Sequence, residues 1–111
     1  MANICTNKLY LSTKGKQLCD DLTESIINSF YSCDVQPFDN GEVFNCEMEF
    51  DSRWTFPYEK MKELTNELPR GNDLYIRVLS YEFGQEYVGF NIYTGGEWCD
   101  KLAIDNLILI T

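Results

Sequence analysis

The chain has five cysteines and no histidine, and this combination limits the chemistry that its side chains can perform. Without an imidazole, no Ser-His-Asp or Cys-His catalytic arrangement can form within the chain, and the usual proton shuttle at neutral pH is absent. The cysteines are widely spaced, with no C-x-x-C pair, so the sequence predicts no metal site. We expect reduced and mostly buried thiols at Cys5, Cys19, Cys33, Cys46 and Cys99. The alternative is an enzyme in which one of these cysteines is a reactive thiolate.

Paired carboxylates are the other side chains that could do chemistry. Glu47 and Glu49 alternate with apolar residues, so a strand would place both on one face, where they could hold a divalent cation or act as acid and base. Because the chain has eighteen acidic residues, such neighbours arise by chance, and a solvated sheet face is the preferred interpretation. No glycine opens a helix in the pattern of a phosphate-binding loop. The sequence therefore predicts no cofactor and no enzymatic activity.

Negative charge is concentrated in the middle of the chain, where residues 20–67 hold twelve acidic and three basic side chains. A formal net charge of −9 would repel a phosphate backbone, so we expect no direct nucleic-acid binding and a neutral or basic partner. Glu59, Glu63 and Glu67 recur every four residues on a predicted helix. This stripe is typical of a solvated helix face. The sharper alternative is an acidic surface that imitates DNA phosphates and inhibits a host DNA-binding protein or nuclease.

The length and composition predict one domain, residues 1–111, with a single core. No apolar run reaches the roughly 18 residues that a membrane span requires, so no membrane contact is expected. The N-terminal residues show no secretion signal, which favours the cytoplasm.

Hydrophobic periodicity predicts the elements that would position these side chains. Alternation predicts strands over Ile4–Leu11 and Val43–Asp51, with Phe44, Cys46, Met48 and Phe50 toward the core. A four-residue spacing predicts a helix over Lys14–Tyr31, capped by Ser12 or Thr13. Pro37, Asp39, Asn40 and Gly41 predict a turn. Pro57 is expected to begin a second helix that ends at Pro69 and Gly71, with Trp54 filling the edge between that helix and the sheet.

The last third of the chain predicts a hairpin and a further strand. Leu74, Ile76 and Val78 alternate with Tyr75, Arg77 and Leu79. After a turn at Gly84, Val88, Phe90 and Ile92 alternate with Tyr87, Gly89, Asn91 and Tyr93. The segment from Trp98 to Ile110 would add a strand whose phase is not readable. The order of elements favours an α+β two-layer sandwich of the ferredoxin-like kind, with two helices on one face of a mainly antiparallel sheet.

Tyrosines fall on the predicted uncovered side of this sheet. If Leu9, Phe44, Ile76 and Phe90 point toward the helices, most of the seven tyrosines share the other face with Lys8, Glu47 and Glu49. Such a face is typical of a protein-binding or self-association surface, while ordinary cross-strand pairing and base stacking are alternatives. The predicted binding residues are Tyr10, Tyr75, Arg77, Tyr87, Asn91 and Tyr93.

Several short motifs resemble the YubB-like family, a ferredoxin-like family found on plasmids and integrated elements. The motifs are Ala2-Asn3-Ile4-Cys5-Thr6-Asn7-Lys8-Leu9, Ser52-Arg53-Trp54-Thr55-Phe56-Pro57, Tyr81-Glu82-Phe83-Gly84 and Val88-Gly89-Phe90. The resemblance implies the fold and a mobile-element setting, but no catalytic residues. Together with the tyrosine face, it leads us to expect a small non-enzymatic module whose partner is another protein or a second copy of itself.

Overall fold

The computed structural model of the chain describes residues 4–39, 42–69 and 71–102. Its regular elements, in chain order, are β1 (Ile4–Thr13), α1 (Lys16–Ser29), β2 (Tyr31–Asp39), β3 (Phe44–Arg53), α2 (Tyr58–Asn66), β4 (Tyr75–Glu82), β5 (Tyr87–Thr94) and β6 (Glu97–Asp100). A short 3-10 turn, Phe83–Gln85, joins β4 to β5. Within these ranges, no helix has both the length and the apolar character needed to cross a membrane.

The six strands form one antiparallel sheet in the order β2-β3-β1-β4-β5-β6. α1 connects β1 to β2, and α2 connects β3 to β4. Each helix therefore joins two strands that have another strand between them. The predicted α+β class with a mainly antiparallel sheet is confirmed.

The core lies between one side of this sheet, here called the helix face, and the two helices. Directly opposed residues of antiparallel strands point to the same side, and Leu9 is opposite Met48 on β3 and Val78 on β4, all three buried. α1 adds Cys19, Leu22 and Ile26 to this cluster, and α2 adds Met61. The predicted phases of β1, β3 and β4 are therefore confirmed.

A buried amide ties the three central strands together. Asn7 on β1 is fully buried, and its Nδ2 donates to the Phe50 carbonyl at 3.2 Å and to Ser52 Oγ at 2.9 Å, both on β3. Its Oδ1 accepts a hydrogen bond from Ser80 Oγ on β4 at 2.6 Å. Buried polar groups are costly unless they are paired, so these bonds favour one register over its neighbours.

The predicted cap of the first helix is wrong. Ser12 and Thr13 belong to β1, and the residue that precedes α1 is Gly15, which has no capping side chain. Thr13 Oγ1 instead accepts from the Gly15 backbone N–H at 3.1 Å and donates to Asp73. The Asp73 carboxylate accepts hydrogen bonds from the Thr13 hydroxyl and from the Lys14 backbone N–H. The Thr13 bond first, and then the Lys14 bond, lower the pKa of the Asp73 carboxyl.

The predicted turn begins too early. Pro37 and Asp39 lie in β2, while Asn40 and Gly41 lie outside the described residues. β2 is an edge strand of the sheet, and an edge strand tolerates a proline because one side of its backbone has no neighbouring strand to bond.

The hairpin of β4 and β5 is confirmed, but the predicted phase of β5 is wrong. Tyr93 is opposite Ile76 and Asn91 is opposite Val78, so these two residues lie on the helix face. Phe90 and Ile92 lie on the other side. The pattern misleads because both sides of β5 hold apolar or aromatic residues, and the turn through Phe83–Gln85 sets the register.

The predicted role of Trp54 at the edge of the core is wrong, and Trp98 has that role instead. Trp54 is 52% exposed and has a φ of 71°, so it does not fill the edge of the core. Trp98 does so from β6, with its ring centroid 5.4 Å from that of Phe56. Pro57 immediately precedes α2, as predicted. Of the predicted C-terminal strand, residues 97–100 form β6, and residues 103–111 lie outside the described residues.

Replacing the buried amide should destabilise the sheet. We expect Asn7→Leu to lower the free energy of unfolding by about 1–3 kcal/mol, because the Ser80 hydroxyl and its neighbours lose their partner inside the core. Urea denaturation of the purified protein measures this change. The matched control is Asn28→Leu at an exposed position of α1, with an expected change within about 0.5 kcal/mol. Unchanged stability in Asn7→Leu would contradict the proposed role of Asn7.

Candidate interaction surface

The side of the sheet opposite the helices is here called the open face, and no described element covers it. Its residues follow from the register. One row across the sheet contains Gln36, Glu47, Tyr10, Arg77 and Ile92, the next contains Asp34, Glu49, Lys8, Leu79 and Phe90, and a third contains Asp51, Thr6, Tyr81 and Val88. In each row the named residues on β2 and β3 are acidic or polar, and the residue on β5 is apolar.

Aromatic rings and a guanidinium occupy the middle of the open face. The Arg77 Cζ lies 4.4 Å from the ring centroid of Tyr10 and 6.0 Å from that of Tyr75. The two tyrosine rings meet edge to face, with centroids 6.3 Å apart. The Tyr10 hydroxyl donates to Asn45 Oδ1 at 2.8 Å. These contacts hold the rings in fixed orientations, since cation–π and edge-to-face contacts both constrain geometry.

The β4 and β5 half of the open face exposes apolar side chains. Val88 is 55% exposed, Leu79 is also exposed, and Phe90 and Ile92 are half-buried. At the end of β4, Phe83 is 79% exposed and its ring centroid lies 5.0 Å from that of Tyr81. A contiguous exposed apolar area on a protein surface indicates an interaction site.

The β2 and β3 half of the open face is acidic. Asp34, Glu47 and Glu49 are exposed there. The contact between Lys8 Nζ and Glu49 is long, at 3.9 Å, and both side chains are well exposed, so this pair stabilises little. A groove of about 540 Å³ is lined by residues of both halves, with Leu79 and Phe90 on its apolar side and Arg77 beside them.

Of the six predicted binding residues, the structure brings Tyr10, Tyr75 and Arg77 together on the open face. The other three lie on the helix face, so their predicted placement on the uncovered side of the sheet is wrong. Tyr93 is 3% exposed and Asn91 is 7% exposed, because β5 has the opposite phase. Tyr87 is half-buried, and its hydroxyl accepts a hydrogen bond from the Phe56 backbone N–H at 3.1 Å.

Sequence reasoning missed the apolar half of the open face. Leu79 was recognisable, because it alternates with the core residue Val78 and is apolar where a polar residue is expected. Phe90, Ile92 and Val88 had no such signal, since their apolar character matches a core strand equally well.

The three glutamates of the acidic alternative lie on the helix layer. Glu59 and Glu63 are exposed on α2, and Glu67 is exposed immediately after it. Lys60 Nζ lies 3.8 Å from Glu63, as the spacing predicts. Lys62 lies over the Tyr58 ring, 5.7 Å from its centroid. This stripe is therefore on the opposite side of the sheet from Glu47 and Glu49.

Three of the five cysteines have surroundings that disfavour ionisation of the thiol. Burial raises the pKa of Cys5, Cys33 and Cys46, and Asp34 contributes to the rise at Cys33. Cys19 is also buried, and Cys99 is exposed. Among the residues that the structure describes, no three Cys, Asp or Glu side chains are grouped so that they could hold a metal ion.

Comparison with known proteins adds no relative. No family model matches the chain, and neither a curated protein nor a solved structure is similar to it. The function is therefore inferred from the geometry of the chain itself.

Thiol labelling should follow burial. We expect a thiol reagent at pH 7 to modify Cys99 first, because it is exposed, and to reach Cys5 and Cys46 only on unfolding. A raised pKa lowers the thiolate fraction at neutral pH, so these two thiols are further protected, and their reactivity should rise with pH. Mass spectrometry of partly labelled protein checks the order. The Cys99→Ser variant should lose the fast phase, and fast labelling of Cys5 or Cys46 in the folded protein would contradict this account.

Proposed function

We propose that this chain is a non-enzymatic interaction module that binds a partner protein through its open face. The observation that supports this most is the exposed apolar strip of β4 and β5, with Leu79 and Val88 at its surface, beside the fixed aromatic group of Tyr10 and Tyr75. Rigid aromatic rings and arginine are the side chains enriched in protein interfaces, and they lose little conformational entropy on binding.

The charge of the open face indicates which surface chemistry a partner would need. Asp34, Glu47 and Glu49 form an acidic border along one side of the apolar strip, and the chain has a net charge of −9. A complementary surface therefore has an apolar patch with basic residues along one side.

A second copy of this chain fits the surface less well. A closed two-fold pairing of two open faces would place the acidic half of one copy against either the acidic half or the apolar half of the other. Both arrangements leave acidic side chains in excess, because the three rows of each copy contain four carboxylates and only two basic groups, Lys8 and Arg77. We therefore favour a different protein over a homodimer.

We also propose that the domain is an elaborated ferredoxin-like plait of the YubB-like kind, working in the cytoplasm and originating from a mobile genetic element. The two crossover helices, each joining strands that are separated by a third, support the ferredoxin-like part of this proposal. β5 and β6 extend the sheet beyond the four strands of that fold.

DNA mimicry receives less support from the geometry. The exposed acidic groups are divided between the α2 side of the domain and the open face, and Glu63 is next to Lys60. A phosphate-like array requires carboxylates along one surface.

Substitution of the apolar strip tests the interaction. We expect Leu79→Glu and Val88→Glu each to weaken partner binding by at least about tenfold, because a charge placed in an apolar contact is not solvated after association. Both positions are exposed, so the fold should tolerate the change. Tagged variants are used to capture partners from a host lysate, and the affinity for the recovered protein is then measured by calorimetry.

The matched control is Ile27→Glu, which places the same charge at an exposed apolar position of α1. It should retain wild-type affinity. If Leu79→Glu and Val88→Glu bind as tightly as Ile27→Glu, the proposed surface is wrong. If the purified protein elutes from gel filtration as a stable dimer, and Leu79→Glu disrupts that dimer, the partner is a second copy of this chain and not a different protein.

A further inference from the structure

A second cavity lies at the other side of the sheet, where β5 and β6 meet the start of α2. Its volume is about 380 Å³. Four aromatic side chains and two polar side chains line it, namely Phe56, Tyr58, Tyr87, Trp98, Asn91 and Asp100. It includes two residues that the sequence placed on the open face, and it shares no lining residue with the groove there.

Contacts with the core hold the aromatic walls in place. Trp98 Nε1 donates to Thr65 Oγ1 at 3.0 Å, which fixes the indole against α2. The Trp98 ring also packs on Phe56 and Tyr93, with both centroids at 5.4 Å. The Tyr87 hydroxyl accepts a hydrogen bond from the Phe56 backbone N–H. A ligand would therefore enter a pocket that is already formed.

The polar lining is acidic and neutral rather than basic. Asp100 is exposed, and its Oδ1 accepts a hydrogen bond from the Leu102 backbone N–H at 3.0 Å. Asn91 is buried and contributes an amide. Aromatic rings present a negative face, and together with a carboxylate they attract a cation.

We propose that this cavity binds an organic ammonium ion, either as a small free molecule or as the alkylated side chain of a lysine in a protein. The negative faces of aromatic rings attract an alkylated ammonium ion, and the carboxylate of Asp100 supplies the counter-charge. The inference is independent of the proposed interaction at the open face.

The two tryptophans provide a built-in readout for this site. Tetramethylammonium chloride is titrated into the ¹⁵N-labelled protein, and the two indole N–H signals are followed by NMR. We expect the Trp98 signal to shift saturably and the Trp54 signal to stay in place, because Trp54 is exposed and does not line the cavity. Sodium chloride at equal concentration controls for ionic strength, and 3,3-dimethylbutan-1-ol is a neutral probe of similar shape.

Two variants test the proposed contacts. Asp100→Asn and Tyr58→Leu should each weaken binding by about three- to fivefold, the size expected for a single ion pair or cation–π contact near a surface. The matched control Glu24→Gln removes one charge from an exposed position on α1 and should leave binding unchanged. Leu79→Glu should also retain the Trp98 response, which separates this site from the open face.

Three results would overturn the proposal. They are no saturable shift of Trp98, an equal response to the neutral alcohol, or wild-type binding in both Asp100→Asn and Tyr58→Leu. If tetramethylammonium binds, a second titration distinguishes a small free ammonium compound from an alkylated lysine side chain as the natural ligand. Tighter binding of N-acetyl-trimethyllysine methylamide than of tetramethylammonium identifies a modified lysine side chain as the ligand, and equal binding identifies a small free ammonium compound.

Discussion

The register of the central strand is the constraint on which the rest of the structure depends. β1 has a neighbour on both sides, and the buried Asn7 amide bonds to Phe50 and Ser52 on β3 and to Ser80 on β4. In a sheet with one covered face, a shift of one residue would move every side chain of a strand to the wrong side. A paired polar group inside an apolar core opposes such a shift, because the shifted state would leave it unpaired.

The open face is a direct consequence of this register. It places Tyr10 beside Arg77, and it continues through β4 into β5, where Leu79 is opposite Phe90. The same alignment puts Tyr93 against Trp98 on the helix face, and the Trp98 ring that Tyr93 contacts is one wall of the aromatic cavity. One set of strand pairings thus produces two separate surfaces with different chemistry, an apolar strip with an acidic border and an aromatic pocket beside Asp100.

The sequence predicts which side of a strand or helix is buried wherever one face of that element is clearly apolar. The strict alternation around Leu9 and Met48 gives the phases of β1 and β3, and the periodicity of α1 gives its buried side. The same reasoning fails for β5, because Phe90 and Tyr93 are both suited to a core. The turn before β5 sets which of the two side chains faces the helices. The exposed position of Trp54 depends on a positive φ, which no apolar pattern predicts.

Hydroxyl-radical footprinting of the protein alone and in complex with its captured partner tests the central claim most directly. The account predicts that Leu79, Val88 and Phe90 are modified in the protein alone and protected in the complex. Ile27 should be modified equally in both states, and Tyr93 should be protected in both, since it is buried in the core. Protection confined to Ile27 and the helix layer, or strong modification of Tyr93 in the protein alone, would contradict the assignment of the open face.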